Sequence, residues 1–465
     1  MSTGSCGSGI ARRNLLQIDT HRFLRSVWSA FESEHVRAVA LRDENLSAMS
    51  DKDHDVLVHP DDLEQSLRII ESVAAAQGWR PLFRQRSSNH NHLGFWCENP
   101  ANAEDSVSLH MDVQDALGSK GFFYAEAGPF VANGEYCDGV RVLRPGARIV
   151  ALALHVLLDK GMVSAKYRNL LQCDLVQDLE KFAARALPDG SARILCDWIR
   201  SGSPDADVRQ SSARIRNNLR LWHPLNLVRP VWVRLLRRLR YFGSRRGVLI
   251  AFLGPDGAGK STTLEAVRRL SAKGPFPVET VYMGKRDTFL PTSMLIRMLY
   301  RRKLNGEERN GNGETSKRRG LALLLFNLKD LAGLMNWALE QWARYLVQVR
   351  PYLQQDGLVL TDRYAFDLGN READSVAHKR FFRRLLPHVF VVPDHTYLLW
   401  EEPEVLYSRK PEMPIDEFSQ LLERLRDIVD CVPASSQIRT NRPVEAIASQ
   451  ISSEISVLME SRCRT

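Results

Sequence analysis

The alternation of apolar and polar residues predicts a series of strands and helices in the amino-terminal half of the chain. Residues 35–42 and 53–59 are predicted strands, the second built on a β-favouring Val-Leu-Val run. A helix is predicted between Pro60 and Gly78, because apolar residues recur there at helical spacing. Further elements are expected as strands at 92–97 and 106–113 and as helices at 147–160 and 167–186.

The carboxy-terminal half shows a different pattern, in which short runs are apolar throughout. Residues 247–253 form such a run, followed by a glycine-rich turn and a helical pattern. Similar runs occur at 357–361 and 396–400. Continuous apolar runs are typical of strands buried on both faces of a parallel sheet. The predicted fold of this half is therefore an α/β domain with a parallel sheet.

A basic segment lies between the two halves. Composition shifts after residue 200, and from Arg209 to Arg246 the chain carries eleven arginines with no acidic residue. Trp232 and the leucines after it share one helical face, and arginines occupy the other. This helix either lies on an anionic membrane surface or packs on a neighbouring domain with its basic face in solvent. Residues 201–246 are accordingly predicted to be a basic amphipathic linker.

Composition and charge narrow the class of protein. With 465 residues, 44% apolar and 26% charged, the chain is expected to form two or three soluble domains. Seven scattered cysteines without a C-x-x-C pair argue against disulfides and zinc. No secretion signal is recognised, so a cytoplasmic protein, peripheral to a membrane at most, is predicted. The net charge of +9 favours an anionic partner.

A phosphate-binding motif, GPDGAGKST, occupies residues 254–262. In the pattern G-x-x-x-x-G-K-[ST], glycines let backbone N–H groups converge on phosphates, the lysine reaches the outer phosphates and the hydroxyl holds Mg²⁺. The motif follows an apolar strand and precedes a helix, which is its proper setting. ATP and Mg²⁺ are therefore the predicted cofactors. The predicted cofactor-binding residues are Gly254, Asp256, Gly257, Ala258, Gly259, Lys260, Ser261 and Thr262.

Two charged residues follow the apolar run at 357–361. Asp362 and Arg363 stand at the carboxyl end of that predicted strand, where ligands of parallel α/β sheets bind. Asp362 is suited to share Mg²⁺ with Ser261, and Arg363 is suited to an anionic oxygen of the acceptor. Read without the phosphate-binding motif, the pair would more often be a structural ion pair.

Three segments together resemble the thymidylate kinase family: residues 253–262, the Asp362-Arg363-Tyr364 motif, and the proline-started helix at 403–409. The resemblance implies a nucleoside-monophosphate-kinase fold over 247–465. It also implies that γ-phosphoryl transfer from ATP uses Lys260, Asp362, Arg363 and Arg409, with Lys410 beside Arg409 and Asp256 accepting a hydrogen bond from the acceptor. Residues 365–370 depart from the family pattern, so the acceptor need not be dTMP.

Three carboxylates define a second predicted site. Asp53 and Asp55 point to one side of a predicted strand, and Asp112 lies on a later strand. They resemble the D-x-D plus distant Asp of the nucleotidyltransferase superfamily, which implies an α+β domain over 1–200 that binds Mg²⁺. A solvated strand end and a degenerate, noncatalytic domain remain open. The histidines have no clear metal-ligand spacing and are predicted to lie in loops or at the surface.

These predictions leave three functions open. The first is a kinase acting on a nucleotide or another phosphorylatable small molecule, and the second is nucleotidyl transfer with a regulatory phosphate-binding domain. The third is a noncatalytic scaffold held on an anionic membrane by the basic linker. No nucleic acid partner is expected, and a homodimer is left open. The domain arrangement resembles proteins of bacterial surface-polysaccharide gene clusters.

Overall fold

The computed structural model describes most of the chain. The described residues are 6–41, 53–86, 89–99, 106–164, 167–168, 171, 178–202, 207–240, 246–284, 290–291, 335–365, 390–411 and 413–464.

The chain divides into two compact units. The first contains Met1–Gly243 with the short pieces Lys273–Pro275 and Cys463–Thr465, and the second contains Ser244–Ala272 and Phe276–Arg462. The segment predicted to be a linker is helical over most of its described residues and belongs, through Gly243, to the first unit. Among the described residues, no helix is long and apolar enough to cross a membrane.

A seven-stranded mixed sheet forms the centre of the first unit, with strand order β3-β4-β5-β2-β1-β9-β8. A separate two-stranded hairpin consists of β6 and β7. The strands are β1 Ala38–Ala40, β2 Asp53–Val58, β3 Arg80–Arg86, β4 His90–Cys97, β5 Val107–Gln114, β6 Ala116–Ser119, β7 Phe122–Glu126, β8 Gly134–Cys137 and β9 Val140–Leu143. The helices are α1 Cys6–Ser33, α2 Leu63–Ala76, α3 Ala127–Ala132, α4 Pro145–His155, α5 Leu179–Ala186, α6 Asp189–Arg200, α7 Val208–Trp222 and α8 Leu225–Arg240.

Alternating side chains of this sheet enter two different cores. Val56 and Val58 pack with α1 and α2, whereas Leu57 belongs to a second core that also contains Phe130 of α3. The predicted strand at 35–42 is confirmed only at β1, since His35 adopts the left-handed φ of 55° and turns the chain out of α1 immediately before it. The other predicted strands are confirmed within two residues at each end.

The second unit has a five-stranded parallel sheet with strand order β11-β12-β10-β13-β14. Its strands are β10 Val248–Leu253, β11 Val278–Tyr282, β12 Leu358–Asp362, β13 His395–Trp400 and β14 Ser435–Arg439. Its helices are α9 Lys260–Ser271, α10 Arg350–Leu353, α11 Pro403–Arg409, α12 Ile415–Asp430 and α13 Val444–Arg464. The three predicted apolar strands are confirmed as β10, β12 and β13. Since β10 lies between β12 and β13, its carboxyl end is at the centre of the ligand-binding edge of such sheets.

Candidate functional site

Two glycines shape the turn between β10 and α9. Gly254 has a φ of 149°, and a Cβ at this position would lie 2.2 Å from the carbonyl oxygen of Leu399. Gly259 has a φ of 77° and is the residue directly before the first turn of α9. Only glycine adopts both conformations without strain or collision. The turn therefore brings the backbone N–H groups at the start of α9 to the carboxyl edge of the sheet, where they can bind an anion.

The lysine of this loop is held inside it. The side chain of Lys260 is only 6% exposed. Its ammonium group donates a hydrogen bond to the carbonyl oxygen of Pro255 at 2.8 Å and lies 3.6 Å from Asp256 Oδ1. Because burial of a cation is unfavourable without polar partners, these contacts keep the charge within the loop. The loop thus has a fixed positive group beside its N–H donors.

Ser261 and Asp362 meet at the predicted metal position. Ser261 Oγ donates to Asp362 Oδ2 at 3.2 Å. Asp362 Oδ1 is buried and has no hydrogen-bond partner among the residues that the structure describes. A buried carboxylate oxygen without a partner is unfavourable, and a divalent cation would satisfy it. Hydroxyl and carboxylate oxygens are the ligands that Mg²⁺ prefers, so these two residues fit this ion.

Arg363 forms an ion pair with the phosphate-binding loop rather than with its neighbour Asp362. Its Nη2 atom donates to Asp256 Oδ1 at 2.6 Å, and both side chains are about one quarter exposed. Arg363 also has a φ of 65°, a left-handed conformation that costs about 1–3 kcal/mol for a residue with a side chain. Such strain is concentrated at functional sites. The structure therefore places Arg363 beside the loop, and its role toward an acceptor remains a prediction.

The end of α11 lies beside the same loop. Arg409 Nη1 is 3.5 Å from the carbonyl oxygen of Gly257, which is a weak contact at an exposed position. A Cβ on Gly257 would lie 3.5 Å from Lys410 Cβ and 3.9 Å from Arg409 Cβ. The helix end and the loop are thus in close backbone proximity. This position suits the predicted cationic role of Arg409, which remains a prediction.

A buried arginine at this edge was missed in the sequence. Arg344 donates from Nη1 to the carbonyl oxygens of Tyr282 and Gly284, at 3.0 and 3.1 Å, and from Nη2 to Glu340 at 2.6 Å. It therefore fixes the chain where β11 ends. The signal was available, because Glu340 and Arg344 stand four residues apart in a stretch whose apolar residues recur at helical spacing, where an ion pair is favoured.

A second group, also missed, surrounds Trp400 at the end of β13. The guanidinium carbons of Arg426 and Arg439 lie 4.9 and 5.4 Å from the centre of its ring. Arg439 also donates to Glu401, whose side chain is 3% exposed, at 2.7 Å. Burial alone would raise the pKa of Glu401, but the hydrogen bond from Arg439 and the backbone N–H of Glu402 outweigh it and lower the pKa. Glu401 therefore stays ionised and keeps Arg439 in place beside the ring.

In the first unit, two of the three predicted carboxylates are adjacent. Asp55 on β2 and Asp112 on β5 are direct partners in a parallel strand pair. Asp53 is exposed and lies opposite His110, two residues further along the same face. The structure therefore places all three on one side of the sheet, and their chemical role remains a prediction.

The expectation that the histidines lie in loops or at the surface is wrong for His54 and His90. His54 is 1% exposed and accepts a hydrogen bond from Trp28 Nε1 at 3.2 Å. His90 lies on β4, where its Nδ1 contacts Asp112 Oδ2 at 2.9 Å. Burial lowers the pKa of His90, but the contact with Asp112 outweighs it, so the net change is upward. Sequence spacing missed this contact because it depends on the pairing of β4 with β5.

Comparison with known proteins gives little further information. The chain matches no protein-family model and no curated protein sequence. Among solved structures, it is similar to the thymidylate kinase from Ehrlichia chaffeensis, with 18% sequence identity over 46% of this chain and 98% of that chain. The TM-score is 0.29. This similarity is too weak to define a fold or a function.

Proposed function

We propose that the second unit is an ATP- and Mg²⁺-dependent phosphotransferase that moves the γ-phosphoryl group of ATP to a small acceptor. The observation that carries this proposal is the contact of Ser261 Oγ with Asp362 Oδ2, directly behind the lysine of a glycine-shaped loop. Asp362 also holds a second, buried oxygen without a partner among the described residues. A glycine turn with a purely structural role does not require a hydroxyl and a partly unpaired carboxylate beside its lysine.

Each group around the loop is assigned a role in this proposal according to its position. The N–H groups at the start of α9 and the ammonium group of Lys260 would bind the terminal phosphates. Ser261 and Asp362 would hold Mg²⁺, which neutralises phosphate charge when it is bound. Arg409, near Gly257, would add a cation on the outer side of the loop. Phosphoryl transfer depends mainly on such positioning and charge neutralisation.

The acceptor that we propose carries an anionic group. Because Asp256 holds the Arg363 guanidinium beside the phosphate-binding loop, its positive charge is oriented before an acceptor binds. A phosphate of a nucleoside monophosphate or of a sugar phosphate complements this charge. Thymine is not proposed as the base of the acceptor, because residues 365–370 depart from the thymidylate kinase pattern. Residues 366–370 of this segment lie outside the described residues.

An acceptor screen with γ-labelled ATP tests this function. The panel contains nucleoside monophosphates, sugars, sugar phosphates and lipid-linked sugars. We expect label to pass to at least one acceptor in the presence of Mg²⁺ and to stay on ATP when the metal is chelated. Label that appears only as inorganic phosphate for every acceptor would contradict phosphotransfer to a small molecule.

Nucleotidyl transfer by the first unit is a second candidate, favoured by the direct pairing of Asp55 with Asp112. If it occurs, pyrophosphate release from a nucleoside triphosphate should fall by about 10²-fold or more in Asp55→Asn, because a metal-binding charge is lost. It should be unchanged in Lys260→Ala. Equal pyrophosphate release by Asp55→Asn and the parent protein would remove this candidate.

A further inference from the structure

Two histidines and one aspartate converge on the same face of the sheet in the first unit. His90 and His92 alternate along β4, so both side chains point to one face. His92 is the strand partner of Asp112, and His90 is the partner of Gln114 on β5. The two imidazole rings are stacked, with centroids 5.6 Å apart and planes inclined by 17°. Pairing of these strands thus collects donor atoms that are about 20 residues apart in the chain.

The spacing of these donor atoms matches a single metal ion. Asp112 Oδ1 lies 3.2 Å from His90 Nδ1 and 3.4 Å from His92 Nδ1. One ligand atom from each of the three residues can be chosen so that all lie within 4.8 Å of one another. Tetrahedral Zn²⁺ with metal–ligand distances near 2.0–2.2 Å holds its ligand atoms about 3.3–3.5 Å apart. The two distances to Asp112 Oδ1 therefore match the spacing of ligands around this ion.

The surrounding hydrogen bonds orient the donors inward. His90 Nε2 lies 2.8 Å from the carbonyl oxygen of Gly118, which can only accept, so Nε2 carries a hydrogen. In neutral His90 the lone pair of Nδ1 then faces the carboxylate of Asp112. Gln114 Nε2 donates to Asp112 Oδ2 at 3.0 Å, and His90 Nδ1 also contacts this oxygen at 2.9 Å, whereas Oδ1 is the carboxylate oxygen near both histidines. Two lone pairs in contact require a cation between them, and such outer hydrogen bonds are typical of metal-binding histidines.

We propose that His90 Nδ1, His92 Nδ1 and Asp112 Oδ1 bind Zn²⁺ in the first unit. Imidazole nitrogen favours zinc over Mg²⁺, which prefers oxygen ligands. Three protein ligands leave one coordination position for water or a substrate. This assignment differs from the Mg²⁺ site predicted at Asp112, which stays a prediction, and it does not depend on the function of the second unit.

Metal analysis of the full-length, tag-free protein tests this assignment. Metals are first removed with a chelator. Titration of the metal-free protein with Zn²⁺, measured by calorimetry, should then show binding of one ion per chain. Loss of His92 in His92→Ala should weaken zinc binding by about 10²-fold or more. Asp112→Asn, which keeps the side-chain size, should do the same if the protein is folded by circular dichroism. His35→Asn is the matched control, since asparagine tolerates the left-handed conformation of His35.

Co²⁺ provides a spectroscopic readout at the same site. The Co²⁺-loaded parent should show the visible absorption of a tetrahedral ion, and His92→Ala should lose it. The alternative is that a proton, rather than a metal, lies between His90 and Asp112. Absence of stoichiometric Zn²⁺ binding, or equal binding by His92→Ala and the parent, would overturn the proposal.

A separate observation concerns α8, whose contacts with β6 and β7 among the described residues lie on one face. Asn226 accepts a hydrogen bond from the backbone N–H of Phe123 at 2.9 Å and donates to its carbonyl oxygen at 3.0 Å. A Cβ on Gly121 would lie 2.8 Å from Val233 Cγ2 and 3.1 Å from the carbonyl oxygen of Arg229. The contact face of α8 is therefore the one that carries these three helix residues, and it lies on the turn between β6 and β7.

The apolar stripe of α8 lies on a different face and is exposed. At 100° per residue, its members fall within one sector of the helix. The members and their exposed fractions are Leu225 62%, Val228 63%, Val231 63%, Trp232 54%, Leu235 43% and Leu236 36%. Packing on a neighbouring domain with a solvated basic face remains the alternative prediction for this helix.

We infer that this stripe binds an anionic lipid surface. Residues 208–240, which form α7 and α8, contain nine arginines and no acidic residue. An apolar stripe with Trp232 among its members, beside an excess of arginine, matches the boundary between acyl chains and anionic headgroups. Charge thus selects an anionic bilayer over a neutral protein surface.

Vesicle sedimentation with the full chain tests this binding. We expect partition onto phosphatidylglycerol-containing vesicles at low salt, and little onto pure phosphatidylcholine. Val231→Asp with Leu235→Asp should lower partition by about tenfold or more. Leu221→Asp, which changes an exposed apolar residue of α7, is the control with a smaller expected effect. Equal partition of the double variant and the parent would overturn the inference. A dimer detected by light scattering that buries the stripe would also overturn it.

Discussion

Replacing Lys260 with alanine is expected to lower the rate of γ-phosphoryl transfer by on the order of 10³-fold. The ammonium group lies 2.8 Å from the carbonyl oxygen of Pro255, inside the loop where the phosphates would bind. Alanine removes the only cation contributed by the loop sequence at 254–262. The measurement is single-turnover transfer of label from γ-labelled ATP to the acceptor found in the screen.

Two controls separate this effect from misfolding. Lys181→Ala removes an exposed lysine of α5 in the first unit and should leave transfer unchanged. Lys260→Ala itself leaves the Pro255 carbonyl without this donor, at a cost of about 1–3 kcal/mol, so its thermal unfolding should be recorded alongside. A folded Lys260→Ala protein that transfers phosphate at the parent rate would exclude the proposed site.

Asp362→Asn is expected to have opposite effects on activity and on stability. Without Mg²⁺, the parent protein buries a carboxylate oxygen that has no partner among the described residues, and the amide removes that charge. The melting temperature of the metal-free variant should therefore equal or exceed that of the parent. Its phosphotransfer rate should fall by about 10²-fold, and half-maximal activity should need at least about tenfold more Mg²⁺.

The melting temperature and the Mg²⁺ requirement together distinguish a metal ligand from a structural role of Asp362. A structural carboxylate would lose stability on substitution without a change in Mg²⁺ requirement, which is the outcome that would contradict a metal site. Asp427→Asn, at an exposed position of α12, is the matched control and should change neither quantity. Differential scanning fluorimetry over a Mg²⁺ series, beside activity at fixed ATP, provides both measurements.

The sequence predicts those parts of the site whose geometry is local. The conformations of Gly254 and Gly259 depend on a few neighbouring residues, and apolar runs such as 247–253 identify buried strands without knowledge of their partners. Asp362 lies beside Ser261 because the carboxyl ends of parallel strands meet at one edge, and its role toward a metal stays a prediction. These features follow from backbone sterics and from burial, which a short window of sequence contains.

Features that depend on strand pairing or on long-range contacts were not predicted. The ion pair between Asp256 and Arg363 joins residues that are 107 positions apart. His90 and His92 meet Asp112 only because β4 and β5 pair in one register, and a shift of one residue would point both rings to the other face. Alternation of the histidines along β4 was the one local signal of this arrangement.

The central place of β10 in its sheet also affects how the phosphate-binding loop can move. This strand is hydrogen-bonded to neighbours on both sides, and all of its residues are buried. Amides in such a strand exchange with solvent only through the largest unfolding events, whereas an exposed helix end such as Arg409 opens locally. Motion during a catalytic cycle should therefore be confined to the outer side of the site, while the start of the loop remains rigid for as long as the unit is folded.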